Sequence, residues 1–244
     1  MPLDQAEAIV LRSFPVGEQD KLVVLFCRDK GLLRGVAKGA RKFGNRFGSS
    51  LEPLTHVRAF FYEKERRELV TLSQCDILQS FFEAQRDYGT ACTLAYFAEL
   101  VEEFIPSRAQ EEIVFRLLLS TLKAIQAGGD AGLLSRYYEA WFLQASGLLP
   151  DLKRCRHCRK KLEAGGWLSP RMEGAYCSDC APIRKVPVPA AIGRFLEWTQ
   201  KSPPPGKGEP AFPAAEIAAI GKTFQALLIF HLEREPRSLH LLPR

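Results

Sequence analysis

The sequence predicts an α+β protein of several domains: a small closed β-barrel at the N-terminus, an α-helical bundle domain, and a four-cysteine module inserted into the helical part. Three observations carry this reading. Residues 1–80 hold short apolar, β-branched or aromatic runs broken by Gly, Pro, Asp and Lys about every 10 to 15 residues. From Phe81 the apolar spacing changes to that of a helix face. Four of the seven cysteines then form two Cys-x-x-Cys pairs. At roughly 150 residues per domain, a chain of 244 residues accommodates this plan. The expected domains are 1–80 (barrel), 81–150 (first helical part), 151–181 (cysteine insert) and 182–244 (second helical part).

In the first block the strand candidates are Ala6 to Leu11, Lys21 to Arg28, Leu32 to Lys38, Leu54 to Tyr62 and Glu68 to Ile77. Five strands with a long basic loop between the third and fourth suit a closed barrel of the OB-fold type better than an open sheet. An SH3-like barrel fits the same string.

Beyond Phe81, the residues Leu94, Phe97, Ala98, Val101 and Phe104 or Ile105 fall at i, i+3, i+4, i+7 spacing. Glu111 to Gln126 and Gly132 to Ser146 repeat the pattern, with Gly128-Gly129 as a stop signal and Gly147 in the place of a C′ glycine. Three consecutive amphipathic helices predict a bundle whose aromatics are mainly core. Pro189 to Gln200 and Ala214 to Glu233 return to helical spacing, separated by Ser202 to Pro210, a proline- and glycine-rich tract that reads as an exposed loop. These two helices are expected to join the earlier three.

Cys155-Arg156-His157-Cys158 and Cys177-Ser178-Asp179-Cys180 are separated by 18 residues, within the roughly 15 to 20 of a four-cysteine zinc site. Two residues between cysteines let a tight turn aim both sulfurs at one ion, and two such knuckles complete a tetrahedron. Cys155, Cys158, Cys177 and Cys180 are therefore the candidate ligands of one structural Zn²⁺. Four thiolates leave no open coordination position, so no hydrolysis is expected from the metal. His157 is surplus to the ligand count, and the run Lys153, Arg154, Arg156, Arg159, Lys160, Lys161 reads equally as a phosphate-touching surface or a solvated one. Cys27, Cys75 and Cys92 look like ordinary buried cysteines.

Net charge is +6 and the isoelectric point about 9.0, which suits an anionic partner. The four blocks carry +3, −4, +3 and +4, so a polyanion should avoid the second. No run reaches the ~18 apolar residues of a membrane span, and Met1 to Glu7 lacks the features of a signal peptide; a cytoplasmic protein without membrane contact is the expectation. Catalysis is not expected. Gly221-Lys222-Thr223 lacks the first glycine of a phosphate-binding loop, and Glu102-Glu103 and Glu111-Glu112 read as solvated helix faces.

Between residues 28 and 46 lie Arg28, Lys30, Arg34, Lys38, Arg41, Lys42 and Arg46 against a single acid, Asp29. Cations that track a backbone, with Phe43 and Phe47 offering stacking faces, are the parts of a single-strand groove on an OB barrel. These seven cations are the candidate DNA contacts. The competing reading folds both phenylalanines onto the barrel.

The string Val10-Leu11-Arg12, Val16-Gly17-Glu18, Asp20, Leu22-Val23, Leu25-Phe26, Gly31, Val36 to Arg41 and Leu51 to Leu54 resembles the N-terminal region of the bacterial RecO family of DNA repair and recombination mediators. The cysteine insert after three helices and Arg237-Ser238-Leu239 near the end resemble that family too. The resemblance implies a protein without catalytic turnover that binds single- and double-stranded DNA and anneals complementary strands. It implies RecR as partner in helping RecA replace single-strand-binding protein (SSB), with the SSB C-terminal tail received on the helical domain. Lys38, Arg41 and Lys42 are the positions it marks as DNA contacts, and a nucleoid-associated cytoplasmic location follows. The alternative is a zinc-containing OB-fold protein that binds RNA or the ribosome.

Overall fold

A computed structural model describes residues 3–63, 68–208 and 212–242. Five strands form the N-terminal barrel: β1 (Leu3–Val16), β2 (Asp20–Cys27), β3 (Gly31–Ala37), β4 (His56–Tyr62) and β5 (Leu69–Gln79). They close in the order β1-β2-β3-β5-β4, with β3 and β5 parallel and every other pair antiparallel. This is the OB arrangement rather than the SH3-like one. β1 is much longer than the six residues expected because it serves two neighbours. Residues 3–9 pair with β4 and residues 8–16 with β2, and the register shift between Val10 and Arg12 bends the strand between them. Gly35 is needed on β3, since a Cβ there would lie 2.9 Å from the Leu72 side chain.

The barrel interior is filled by Ala8, Val10, Val23, Leu25, Leu33, Val57, Phe61, Val70 and Leu72, with Phe47 and Leu51 entering from the segment between β3 and β4. Ile9, Val24 and Phe26 have the opposite parity and are also buried. Helices cover them: α1 (Tyr88–Phe104) packs on β1, and Phe115 of α2 (Glu112–Gln126) lies 5.7 Å from Phe26 between ring centroids. Burial of both faces explains why Ala8–Leu11 and Val23–Cys27 read as unbroken apolar runs. Cys27 and Cys75 lie in this core as free thiols pushed up to about 12 by burial.

The helices divide differently from the expected bundle. Contacts split the chain into residues 1–126, which hold the barrel with α1 and α2, and residues 127–244, which hold α3 (Ala131–Ala145), α4 (Ile192–Lys201), α5 (Ala214–Leu232) and the cysteine module. Helical spacing tells which face is apolar but not what covers it, and the outer barrel face required cover. Asp87 and Asp130 cap α1 and α3 through the amides of Thr90 and Leu133. Gly147, at φ 69°, ends α3 as expected: its amide donates to the Gln144 carbonyl and that of Leu148 to Leu143.

In the second unit, α3 packs on α4 and α5. A buried Arg136–Glu139 pair at 3.0 Å lies on α3, and a Cβ on Gly221 would fall 1.7 Å from the Arg136 guanidinium. Gly221 thus serves helix packing, and Thr223 donates its hydroxyl to the Pro187 carbonyl. α5 is long and apolar enough to cross a membrane by length and composition, yet Ile220, Phe224, Leu227 and Leu228 are buried inside the fold. The loop expected at Ser202 to Pro210 begins with bends and a turn; Glu209 and Pro210 lie outside the described residues.

Candidate nucleic-acid interface and metal centre

The cysteine module carries a three-stranded antiparallel sheet in the order β7 (Ala175–Tyr176), β6 (Gly166–Leu168), β8 (Pro187–Val188). Its last strand extends the module past residue 181. The two Cys-x-x-Cys pairs turn tightly, with the Arg159 amide donating to the Cys155 carbonyl and those of Cys180 and Ala181 to the Cys177 carbonyl. The four sulfurs lie within 4.8 Å of one another, and Cys158 and Cys177 are 3.7 Å apart. A tetrahedral ion with sulfurs at 2.3 Å requires edges of about 3.8 Å. The donor set therefore fits a metal ion, held by Cys155, Cys158, Cys177 and Cys180. Burial opposes ionisation of Cys155, but backbone amides of Cys158, Cys177 and His157 outweigh it and bring its thiol down to about 6. Cys180 is pushed to about 12, first by its hydrogen bond with Cys177. His157 is exposed and outside the set.

The seven predicted cations of the barrel separate into two groups. Arg28 and Lys30 occupy the β2–β3 turn, at the opposite end of that hairpin from Lys38. Arg28 bonds both oxygens of Glu7 at 2.9 Å, approaches Glu112 at 3.7 Å and lies 5.0 Å over the Phe115 ring. Lys30 pairs with Asp4 at 2.9 Å. His56 completes the cluster with a 2.8 Å hydrogen bond to Glu7, and burial holds its pKa below the usual histidine value. These two cations anchor structure.

Arg34, Lys38, Arg41, Lys42 and Arg46 are exposed. The segment from Lys38 to Thr55 is a chain of hydrogen-bonded turns rather than a loose loop. The Gly39 amide donates to Asp20, the Arg41 amide to the Gln19 carbonyl and the Arg41 guanidinium to the Gly17 carbonyl, tying the segment to the β1–β2 hairpin. Arg46 donates to the Ser73 carbonyl at 2.6 Å and lies over Phe47. The two phenylalanines part company: Phe47 is core, while Phe43 is fully exposed beside Lys42. Arg58 on β4 is exposed as well, and it lies opposite Glu7 in the β1–β4 register and Asp76 in the β4–β5 register.

An OB-type barrel bearing a cation-rich turn segment, followed by helices and a four-cysteine module, defines the class: a multidomain OB-barrel protein with a four-cysteine insert able to hold a metal ion. Residues 1–81 match the family described as "Recombination protein O N terminal", and residues 85–240 match "Recombination protein O C terminal". The chain belongs to the recombination protein O (RecO) family, whose members serve DNA repair and recombination. It is similar to "DNA repair protein RecO" of Koribacter versatilis (strain Ellin345), with 34% identity over 233 residues, covering 96% of this chain and 95% of that one. It is 34% identical over 241 residues to the protein of the same name from Roseiflexus sp. (strain RS-1), covering 98% and 84%. The corresponding Pelotomaculum thermopropionicum protein is 32% identical over 260 residues, covering 100% and 95%.

Proposed function

We propose that this chain is a recombination mediator that binds single- and double-stranded DNA through Lys38, Arg41, Lys42 and Arg46, with Arg34 flanking them, and anneals complementary strands. The observation that carries this is the turn segment itself. Its cations are free of carboxylate partners among the described residues, and Phe43 stands exposed among them to receive a base.

Annealing requires no bond chemistry. Two phosphate backbones repel, and a protein that neutralises charges on each while leaving bases free lowers the cost of their encounter. We accordingly read the protein as non-catalytic. Glu102 is engaged by Arg12 at 3.1 Å and Glu112 faces Arg28, so these glutamates have structural partners. The metal is read as one Zn²⁺ that supplies folding free energy. The roles with RecR, with the SSB tail and in loading RecA rest on family membership, as does a place in the cytoplasm alongside the nucleoid.

The test is annealing of SSB-coated complementary oligonucleotides, read by energy transfer between end labels. The Lys38→Ala/Arg41→Ala/Lys42→Ala variant should fold, lose the acceleration and reduce the salt slope of single-strand binding by about 0.7 per phosphate contact removed. An unchanged slope removes the turn segment from the interface. Equal competition by RNA of the same length would favour the RNA-binding alternative.

A further inference from the structure

Behind the first cysteine pair the chain doubles back as a short hairpin. The Cys155 amide donates to the Lys160 carbonyl at 2.8 Å, the Leu162 amide donates to the Lys153 carbonyl at 2.9 Å, and Arg154 and Lys161 face each other across an antiparallel bridge. Arg159 sits at φ 63°, in the left-handed region. Like charges directly opposite in a strand pair repel, and a long side chain at positive φ is unfavourable. The knuckle turn, in which the Arg159 amide donates to the Cys155 carbonyl, sets that backbone, but nothing in it requires cations at 159, 160 and 161.

The charges of this hairpin also divide. Lys153 bonds Glu197 at 3.2 Å and Arg156 bonds Glu173 at 2.6 Å. Arg154, Arg159, Lys160 and Lys161 are exposed, and among the described residues none has a carboxylate within 4.0 Å. On the barrel, Arg12, Lys21, Arg28 and Lys30 have acidic partners, while the cations of the Lys38 to Arg46 segment, like the four of the hairpin, have none among the described residues. Four unpaired cations thus converge on one hairpin whose shape is held by the cysteine pair. They outnumber the charge of about −2 that four thiolates around a divalent ion would place beneath them.

We propose that Arg154, Arg159, Lys160 and Lys161 form a second nucleic-acid site, on the cysteine module, that takes the sugar–phosphate backbone of a DNA strand. The ligand class follows from the side chains: exposed cations neutralise phosphates, and no aromatic stands among them to stack on a base. This deepens the DNA-binding reading, on which it rests. The barrel site lies in residues 1–126 and this one in residues 127–244, so one molecule has separate cations for each of two strands.

The full-length protein, loaded with zinc, is titrated with fluorescent oligodeoxythymidylate to obtain strands bound per chain and the salt slope. The neutral variant Arg159→Asn/Lys160→Gln/Lys161→Gln uses asparagine because it tolerates the left-handed region. Wild type should take two strands and the neutral variant one, with annealing slowed roughly tenfold. Lys160→Arg/Lys161→Arg should still take two. Should the triple substitution lose zinc or structure, Lys160→Gln/Lys161→Gln serves instead, its salt slope lower by about 1.4. One strand per wild-type chain, or two per folded neutral variant, overturns the second site. Loss of all binding in the Lys38/Arg41/Lys42 variant overturns it too while leaving the barrel site standing. Two strands bound by that variant would instead remove the barrel site, and a wild type that binds no strand removes both.

Discussion

Phe43 and Phe47 are four positions apart in one glycine-rich segment and have opposite fates. The Asn45 side chain accepts hydrogen bonds from the amides of Phe47 and Gly48, each at 3.0 Å, and this turn sends Phe47 into the barrel core. Phe43, followed by Gly44 at φ 66°, stays in solvent. Its ring, set beside Lys42, offers a face on which a base can stack. Phe43→Ala should weaken single-strand binding by about 1–3 kcal/mol, the value of one base stacked on an aromatic ring, and leave the salt slope unchanged. Isotherms at several salt concentrations check this; a lower slope would mean that Phe43 orders the neighbouring cations instead of stacking. The sequence held both aromatics in view but could not rank them, because the Asn45 turn acts through the backbone.

At the scale of the element, the β2–β3 turn shows how a cation can be claimed by the fold. Arg28 is held by Glu7 on β1, Glu112 on α2 and the face of Phe115, so it ties the barrel to its covering helix. Arg28→Ala should cost on the order of 1–3 kcal/mol of stability with no change in the salt slope of DNA binding. Chemical denaturation and binding titrations on one preparation check the two halves; a reduced slope with unchanged stability would return Arg28 to the interface. Counting cations along the chain could not make this distinction. Glu7 and Glu112 lie 21 residues before Arg28 and 84 after it, and only barrel closure and helix docking bring them together.

For the whole molecule, the division at residues 126 and 127 separates two kinds of stability. The first unit is held by the barrel core and its two helices, the second by helix packing and the cysteine module. On the reading that the four cysteines hold Zn²⁺, adding a chelator or making Cys155→Ser should lower the thermal transition of the second unit and leave that of the first in place. Hydrogen exchange resolved by peptide checks this; equal loss of protection in β1–β5 would show that the units unfold as one.

The local chemistry of the chain determined much of this protein by itself. Strand and helix periods, the glycine that ends α3 and the paired cysteines are short-range signals, and each appeared close to its expected place. The family followed from the order and spacing of short motifs over most of the length. Only the tertiary structure decided which helices cover the barrel, which cations are engaged by acids and which phenylalanine faces water. The physical reason is common to all three: burial and ion pairing are set by neighbours distant in sequence, and a pattern along one segment records its own faces without naming what meets them.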